Sequence, residues 1–86
     1  MVEPARILFF GRLADVAGRR EAVVALSGPT DIAAIIATLG EGAPELAAAL
    51  AAPSVRVAVN KRVAPLRAGK AEPGDEIAFL PPVSGG

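Results

Sequence analysis

The chain has 86 residues, and its nine basic and nine acidic side chains give a formal net charge of zero. This length suits one small domain, and the balanced charge argues against a nucleic-acid surface, which needs clustered positive charge. The sequence contains no cysteine and no histidine. It therefore excludes a disulfide framework, thiol chemistry, a Ser-His-Asp triad and a metal site with soft or imidazole ligands.

The N-terminal residues 1–4 lack the basic region and apolar core of a signal peptide. No apolar run approaches the length that is needed to span a bilayer. We therefore expect a cytoplasmic protein.

The first elements of the chain are predicted to be two strands joined by a helical turn. Residues 6–10 form an apolar, β-rich run, which indicates burial on both faces or one face covered by a partner. Residues 13–17 can form one helical turn, and residues 21–26 are predicted to form the second strand.

The clearest predicted helix follows Thr30, whose hydroxyl is suited to the N-cap position, with Asp31 in the first turn. Gly40 is expected to end this helix in the left-handed conformation. A second, short helix is predicted over 45–51, with Pro44 at its first position. The first of these helices is supported by an apolar stripe at helical spacing, formed by Ile32, Ile35, Ile36 and Leu39.

The last third of the chain is predicted to be mostly strand. Alternating valines over 55–59 indicate a half-buried strand with the valines inward. A turn at Asn60-Lys61 leads into a short strand at Arg62-Val63. We interpret 65–72 as a loop in which Leu66 anchors to the core. A turn signal at 72–75 precedes the last strand, over 76–80.

This order of elements predicts an α+β fold in which one main helix lies across one face of a mixed sheet. It is the architecture of a β-grasp, where the first and last strands lie side by side and parallel at the sheet centre. We place the domain at 1–80 and an extended tail at 81–86.

The predicted tail has the properties of a thin stalk. Pro81 and Pro82 fix their own φ and keep the exit extended, while Gly85 and Gly86 carry no side chain. Six extended residues reach roughly 20 Å, which is long enough to enter a partner's active site. The alternative interpretation is a frayed chain end.

Candidate reactive groups in the sequence are few. The carboxylates of Glu41, Glu45, Glu72, Asp75 and Glu76 lie in predicted turns and helix starts, so structural or solvated roles are favoured for them. There is no phosphate-binding GxxxxGK[ST] loop. The terminal carboxylate of Gly86 remains, and once another enzyme has adenylated it, this group could accept a sulfur or an amine.

The stretch 74–86, with the sequence GDEIAFLPPVSGG, resembles the C-terminal signature of the molybdopterin synthase small subunit, the MoaD-like sulfur carrier. The runs 7–10 and Val59-Asn60 are similar to that family too, so the resemblance covers nearly the whole chain. It implies a ubiquitin-like β-grasp domain. One departure is Ala14, where members often carry arginine, although Asp15 keeps the following acid.

The resemblance also implies a mechanism and partners. An adenylating enzyme activates Gly86 with ATP, and a sulfurtransferase then supplies sulfur to form a thiocarboxylate. This group enters the large subunit of a heterotetrameric synthase and donates sulfur to cyclic pyranopterin monophosphate, two carriers being used per product. The carrier itself binds no cofactor, and partners supply the catalytic groups.

Predicted site residues follow from the tail and the last strand. Alternation places Ile77 and Phe79 in the core and Leu80 on the opposite face. Leu80 would then contribute to an exposed apolar patch at an interface, or it merely covers a sheet edge. Gly86 is the predicted reactive residue, and the predicted partner-binding residues are Leu80, Pro81, Pro82, Val83, Ser84 and Gly85.

Three alternatives stay open on the sequence alone. The thiamine-pathway sulfur carrier also ends in Gly-Gly, but members of that group look shorter and lack the Phe-Leu-Pro-Pro approach. A ubiquitin-like modifier would share adenylation and would form covalent adducts on lysines. A plain interaction domain would carry an inert tail.

Overall fold

A computed structural model describes residues 3–64 and 69–82. In chain order its elements are β1 (Glu3–Phe9), α1 (Arg12–Ala17), β2 (Glu21–Leu26), β3 (Thr30–Asp31), α2 (Ile32–Leu39), α3 (Pro44–Leu50), β4 (Arg56–Val59), β5 (Arg62–Ala64), β6 (Lys70–Ala71) and β7 (Glu76–Leu80). Within these ranges, no helix is both long and apolar enough to cross a bilayer.

The main sheet has the strand order β2-β1-β7-β4-β5. Strand β7 occupies the middle position, parallel to β1 and antiparallel to β4. The remaining pairs, β1 with β2 and β4 with β5, are antiparallel. The prediction that the first and last strands lie side by side and parallel is confirmed, and the fold is a ubiquitin-like β-grasp.

Helices α1, α2 and α3 cover one face of this sheet, which we call the inner face. The predicted stripe of α2 is confirmed, because Ile32, Ile35 and Ile36 are buried and Leu39 is half-buried. The rings of Phe9 and Phe79 stack on neighbouring central strands with their centroids 6.2 Å apart. The apolar core therefore lies between the three helices and the inner face of the sheet.

A second, two-stranded sheet was missed by the prediction that 65–72 is a loop. Strand β6 pairs antiparallel with β3, matching Thr30 with Ala71 and Asp31 with Lys70. Two-residue strands have no periodicity that the sequence could reveal. The predicted core anchor Leu66 lies outside the described residues.

Two predicted helix caps are wrong. The backbone of Asp31 is extended at φ −63° and ψ 142°, so α2 starts one residue later than a Thr30 cap requires. The Thr30 hydroxyl donates instead to the Gly28 carbonyl, at 2.9 Å. Pairing of Thr30 and Asp31 with β6 keeps both residues extended.

Gly40 is right-handed, with φ −85° and ψ 0°, and not left-handed as predicted. A Cβ at Gly40 would collide with the Cβ of Ala47 on α3. Glycine is therefore required here because two helices approach closely, and the left-handed turn falls at Gly42, where φ is 71°.

The sheet end opposite the tail is closed by a polar network around Asn60. The Asn60 side chain donates to Asp75 Oδ1 at 2.9 Å and accepts from the Glu76 N–H at 3.0 Å. Asn60 and Lys61 both have positive φ, which forms the tight turn predicted between β4 and β5. Asp75 also accepts from the Glu72 N–H. The structural role expected for Asp75 is confirmed.

Candidate functional site

The root of the predicted tail is held at the centre of the sheet. Leu80, the last residue of β7, lies opposite Arg56 of β4. On the other side of β7, the Phe10 N–H donates to the Phe79 carbonyl at 3.2 Å. Both neighbouring strands therefore fix the point from which Pro81 and Pro82 leave the domain.

The structure describes only part of the predicted site. Leu80, Pro81 and Pro82 are placed, whereas Val83, Ser84, Gly85 and Gly86 lie outside the described residues. The reactive role of Gly86 and the binding roles of the tail residues stay predictions.

The predicted faces of the last strand are confirmed where burial tests them. Ile77 and Phe79 are both 0% exposed and lie in the core. Leu80 is half-buried and points, by alternation, to the opposite face, which we call the outer face. Pro81 is half-buried and Pro82 is exposed, so the apolar surface continues from Leu80 along the start of the tail.

The outer face carries an apolar row that crosses the sheet. Strand register aligns Leu8, Ala78, Ala58 and Val63 on neighbouring strands. The two alanines are only 7% exposed, so neighbouring residues shield the middle of the row from solvent. Val63, at the edge of the sheet, is 58% exposed.

Phe10 is a component of this surface that sequence reasoning did not single out. It follows β1 directly, is 46% exposed, and lines a shallow cavity of about 440 Å³ together with Leu8 and Asp15. The signal was present in the sequence, because period-two alternation from the buried Ile7 and Phe9 turns Phe10 outward. Leu80, Pro81, Pro82 and Phe10 together are called the tail-root patch below.

The departure from the family pattern falls at the edge of that cavity. Ala14 is half-buried on α1 and lines the cavity, as the exposed Asp15 does. Asp15, the acid that the resemblance retains, therefore lies near Phe10.

Ion pairs lie on the outer face towards the end of β7 that is opposite the tail-root patch. Arg6 pairs with Glu21 at 3.0 Å and with Glu76 at 3.7 Å, which joins three neighbouring strands. The side chains of these three residues are partly or largely exposed, so the ion pairs should contribute little to the stability of the fold.

A second cavity, of about 270 Å³, lies on the other side of the tail root. Its walls come from α1, from the connection between α3 and β4, and from the two prolines, including Leu13, Val16, Ala52, Val55, Pro81 and Pro82. The start of the tail thus lies between the outer face and an apolar groove.

The described side chains contain no obvious reaction centre. In ranges 3–64 and 69–82, no three acidic side chains are grouped closely enough to hold a metal ion. What this region offers is a fixed, apolar exit for an extended segment.

Comparisons with known proteins agree with this geometry. The model of the ThiS family matches residues 7–86. The crystal structure of the small archaeal modifier protein SAMP1 from Haloferax volcanii is 30% identical with a TM-score of 0.77, covering 96% of this chain and 99% of that chain. No curated protein sequence matches the chain significantly.

Two more distant structures share the fold. SAMP1 from Methanosarcina acetivorans is 20% identical with a TM-score of 0.79, covering 100% of this chain and 99% of that chain. A Pyrococcus furiosus protein described as molybdopterin converting factor, subunit 1, is 20% identical with a TM-score of 0.76, covering 94% and 99%. The chain therefore belongs to the ThiS family and has a ubiquitin-like β-grasp fold, which it shares with Haloferax volcanii SAMP1.

Proposed function

We propose that this protein is the sulfur-carrying small subunit of a molybdopterin synthase and acts in the cytoplasm. The observation that carries the proposal is the position of β7, which brings the apolar tail-root patch to one end of the sheet. The sequence motif from Gly74 to Gly86 and the fold shared with the Pyrococcus furiosus protein support the molybdopterin assignment.

The proposed chemistry takes place on the carboxylate of Gly86. In an adenylating enzyme, a carboxylate oxygen attacks the α-phosphorus of ATP, and pyrophosphate leaves. The outer sulfur of a persulfide on a sulfurtransferase then attacks the acyl carbon and displaces AMP, and a thiol reduces the resulting acyl disulfide to release the thiocarboxylate. In the large synthase subunit this sulfur passes to cyclic pyranopterin monophosphate, and water restores the carboxylate.

The body of the domain has a separate task, which is to dock. Leu80, Pro81 and Pro82 form the described part of the surface that we assign to the large subunit, and we assign Val83, Ser84 and Gly85 to the same interface. A body contact with an inserted tail should bury at least a standard interface, roughly 1,600 Å² in total. Glycine at 85 and 86 lets a partner close tightly around the backbone.

The decisive experiment reads the state of Gly86 directly. Protein purified from its native host should show, by intact-mass spectrometry, a fraction in which one terminal oxygen is replaced by sulfur. Removing Gly86, or adding residues after it, should abolish this species and sulfur donation to the large subunit. Sulfur donation by a protein with a blocked C-terminus would contradict the mechanism.

A second candidate function is that of a ubiquitin-like modifier, which the 30% identity to Haloferax volcanii SAMP1 favours. The same purification distinguishes the two. A modifier would be found joined through Gly86 to lysines of other proteins, whereas a synthase subunit would co-purify non-covalently with its large subunit. Binding to a thiazole synthase alone would assign the chain to thiamine synthesis.

A further inference from the structure

The corner between β1 and α1 lies directly beneath the tail root. Gly11 forms this corner with φ 55° and ψ −132°, a conformation that residues with a Cβ rarely adopt. A Cβ built on Gly11 would lie 3.0 Å from Cγ of Pro81 and 3.9 Å from its Cβ and Cδ. The ring of Pro81 therefore lies against the bare Cα of Gly11.

Backbone hydrogen bonds fix the position of this corner. The Phe10 N–H donates to the Phe79 carbonyl at 3.2 Å, which ties the corner to β7. The Leu13 and Ala14 N–H groups donate to the carbonyls of Phe10 and Gly11, both at 3.1 Å, which ties it to α1. Gly11 consequently has little freedom to move away from Pro81.

The surroundings of Pro81 restrict it on a further side. Pro81 and Pro82 line the apolar groove that Leu13 and Val16 also form, and Pro81 is half-buried while Pro82 is exposed. Proline in addition fixes its own φ. Of the two prolines, Pro81 is therefore the more restrained.

We propose that Gly11 is a positioning residue for the tail: its missing side chain lets Pro81 seat on the corner, and this contact sets the direction in which the tail leaves. The inference rests on the proposed function for its consequence, because the direction matters only if Gly86 must reach a partner's active site. Residues 82–86 could extend up to roughly 17 Å, so a small rotation at Pro81 displaces Gly86 much further.

The test uses Gly11→Ala, with Gly18→Ala as the control for a Cβ added at the other positive-φ glycine that flanks α1. Gly18 lies at the other end of α1 with φ 75°, but a Cβ there meets nothing within 4 Å. Gly18→Ala should lower Tm less, because the left-handed conformation of Gly18 (φ 75°, ψ 15°) costs alanine less than that of Gly11 (φ 55°, ψ −132°), and only Gly11→Ala pushes on the tail root. The Pro81→Ala background described below therefore separates backbone strain from the contact with Pro81. We expect kcat/KM for adenylation to fall about tenfold or more in Gly11→Ala, as misplacement of a reacting group does. Gly18→Ala should react as the wild type does.

Removing the Pro81 ring should cancel the effect. In a Pro81→Ala background, the added methyl group of Gly11→Ala no longer has a ring to displace, so it should cause no further loss of adenylation. An equal loss in both backgrounds would show that Gly11 acts through strain and not through Pro81, and it would overturn the proposal.

A structural readout tests the contact without any partner. Cα–Hα residual dipolar couplings of Pro82 in the free, full-length protein should change in Gly11→Ala and stay unchanged in Gly18→Ala. If Gly11→Ala does not fold, Pro81→Ala decides, because its Pro82 couplings should average towards zero.

The outcomes separate this inference from the proposed function. Unchanged Pro82 couplings overturn the contact, and changed couplings with normal adenylation overturn its positioning role. If the wild type is not adenylated at all, the sulfur-carrier proposal fails, while the couplings still test whether Gly11 directs the tail.

Discussion

The two faces of the central sheet are built from alternate residues of the same strands, yet they differ in composition and exposure. On the inner face, large side chains such as Ile7, Ile77 and Phe79 are fully buried under the helices. The outer face has small, buried alanines in its middle. Its exposed apolar side chains lie towards the sheet edges and beside the tail. The inner face thus buries as much apolar surface as possible, whereas the outer face is flat and presents exposed apolar side chains that a partner could contact.

This difference indicates that stability and partner binding are carried by different residues of one strand. In β7, Phe79 faces the core and Leu80, its immediate neighbour, faces outward. Substitution of Phe79 should therefore lower stability, and substitution of Leu80 should lower partner affinity. A Phe79 variant that lost only affinity, or a Leu80 variant that lost only stability, would disprove this division.

The largest effect is expected from Phe79→Ala. Phe79 is fully buried and stacks on Phe9, so its truncation leaves a cavity between the two central strands. Unfolding free energy in urea should fall by about 3 to 5 kcal/mol, the usual cost of removing a buried aromatic ring. Whatever fraction stays folded should bind the large subunit with unchanged affinity. A loss below about 1 kcal/mol would show that the inner face can collapse onto the space.

Leu80→Asp should weaken binding to the large subunit by about 2 kcal/mol, because it places a charge in the tail-root patch. Stability should change little, since Leu80 is half-buried and Arg56 lies opposite to receive the carboxylate.

The control for Leu80→Asp is Val23→Asp, which also introduces an aspartate on the outer face. Val23 lies on the edge strand β2 and is 67% exposed. Isothermal titration calorimetry of the two variants should separate them. Unfolding of Leu80→Asp would mean that the outer face belongs to the core after all.

Phe10→Ala should have a smaller effect on binding, about 1 kcal/mol, because it removes contact area without burying a charge. Stability should stay within about 0.5 kcal/mol, as for other surface substitutions. Val63→Ala, at the far edge of the same face, is the matched control and should bind normally. Equal losses for the two variants would extend the interface across the whole outer face.

The smallest effect is expected from Arg6→Ala. Its partners Glu21 and Glu76 are both accessible to solvent, so losing the two ion pairs should cost at most about 1 kcal/mol of unfolding free energy at low salt. The difference from wild type should vanish at high salt, because screening weakens exposed pairs. A salt-independent loss would indicate that the aliphatic stem of Arg6 contributes packing to the outer face.

Much of the fold could be predicted because its signals are local. Alternation in 76–80 identified Ile77 and Phe79 as core residues, and helical spacing identified the buried face of α2. The turn at Asn60-Lys61 was visible because asparagine tolerates positive φ.

The errors concern contacts between distant parts of the chain. Strands β3 and β6 have only two residues each, which is too short to show the alternating hydrophobic pattern of a strand. Gly40 looked like a helix terminator, but the nearby Ala47 is what excludes a side chain there. The same limit applies to the site, since no local pattern in the sequence relates Gly11 to Pro81, 70 positions further along the chain.

The central position of β7 has a consequence for how the chain folds. Arg6 pairs across to Glu76, so the middle of the sheet cannot close until nearly every other element has been synthesised. Pairings between such distant residues are slow to form, and until β7 arrives, β1 and β4 expose edges that could pair with other chains. Emerging from the ribosome, the nascent chain is thus open to aggregation until β7 is in place. A partner that recognises the tail-root patch is therefore presented only with molecules whose folding is complete.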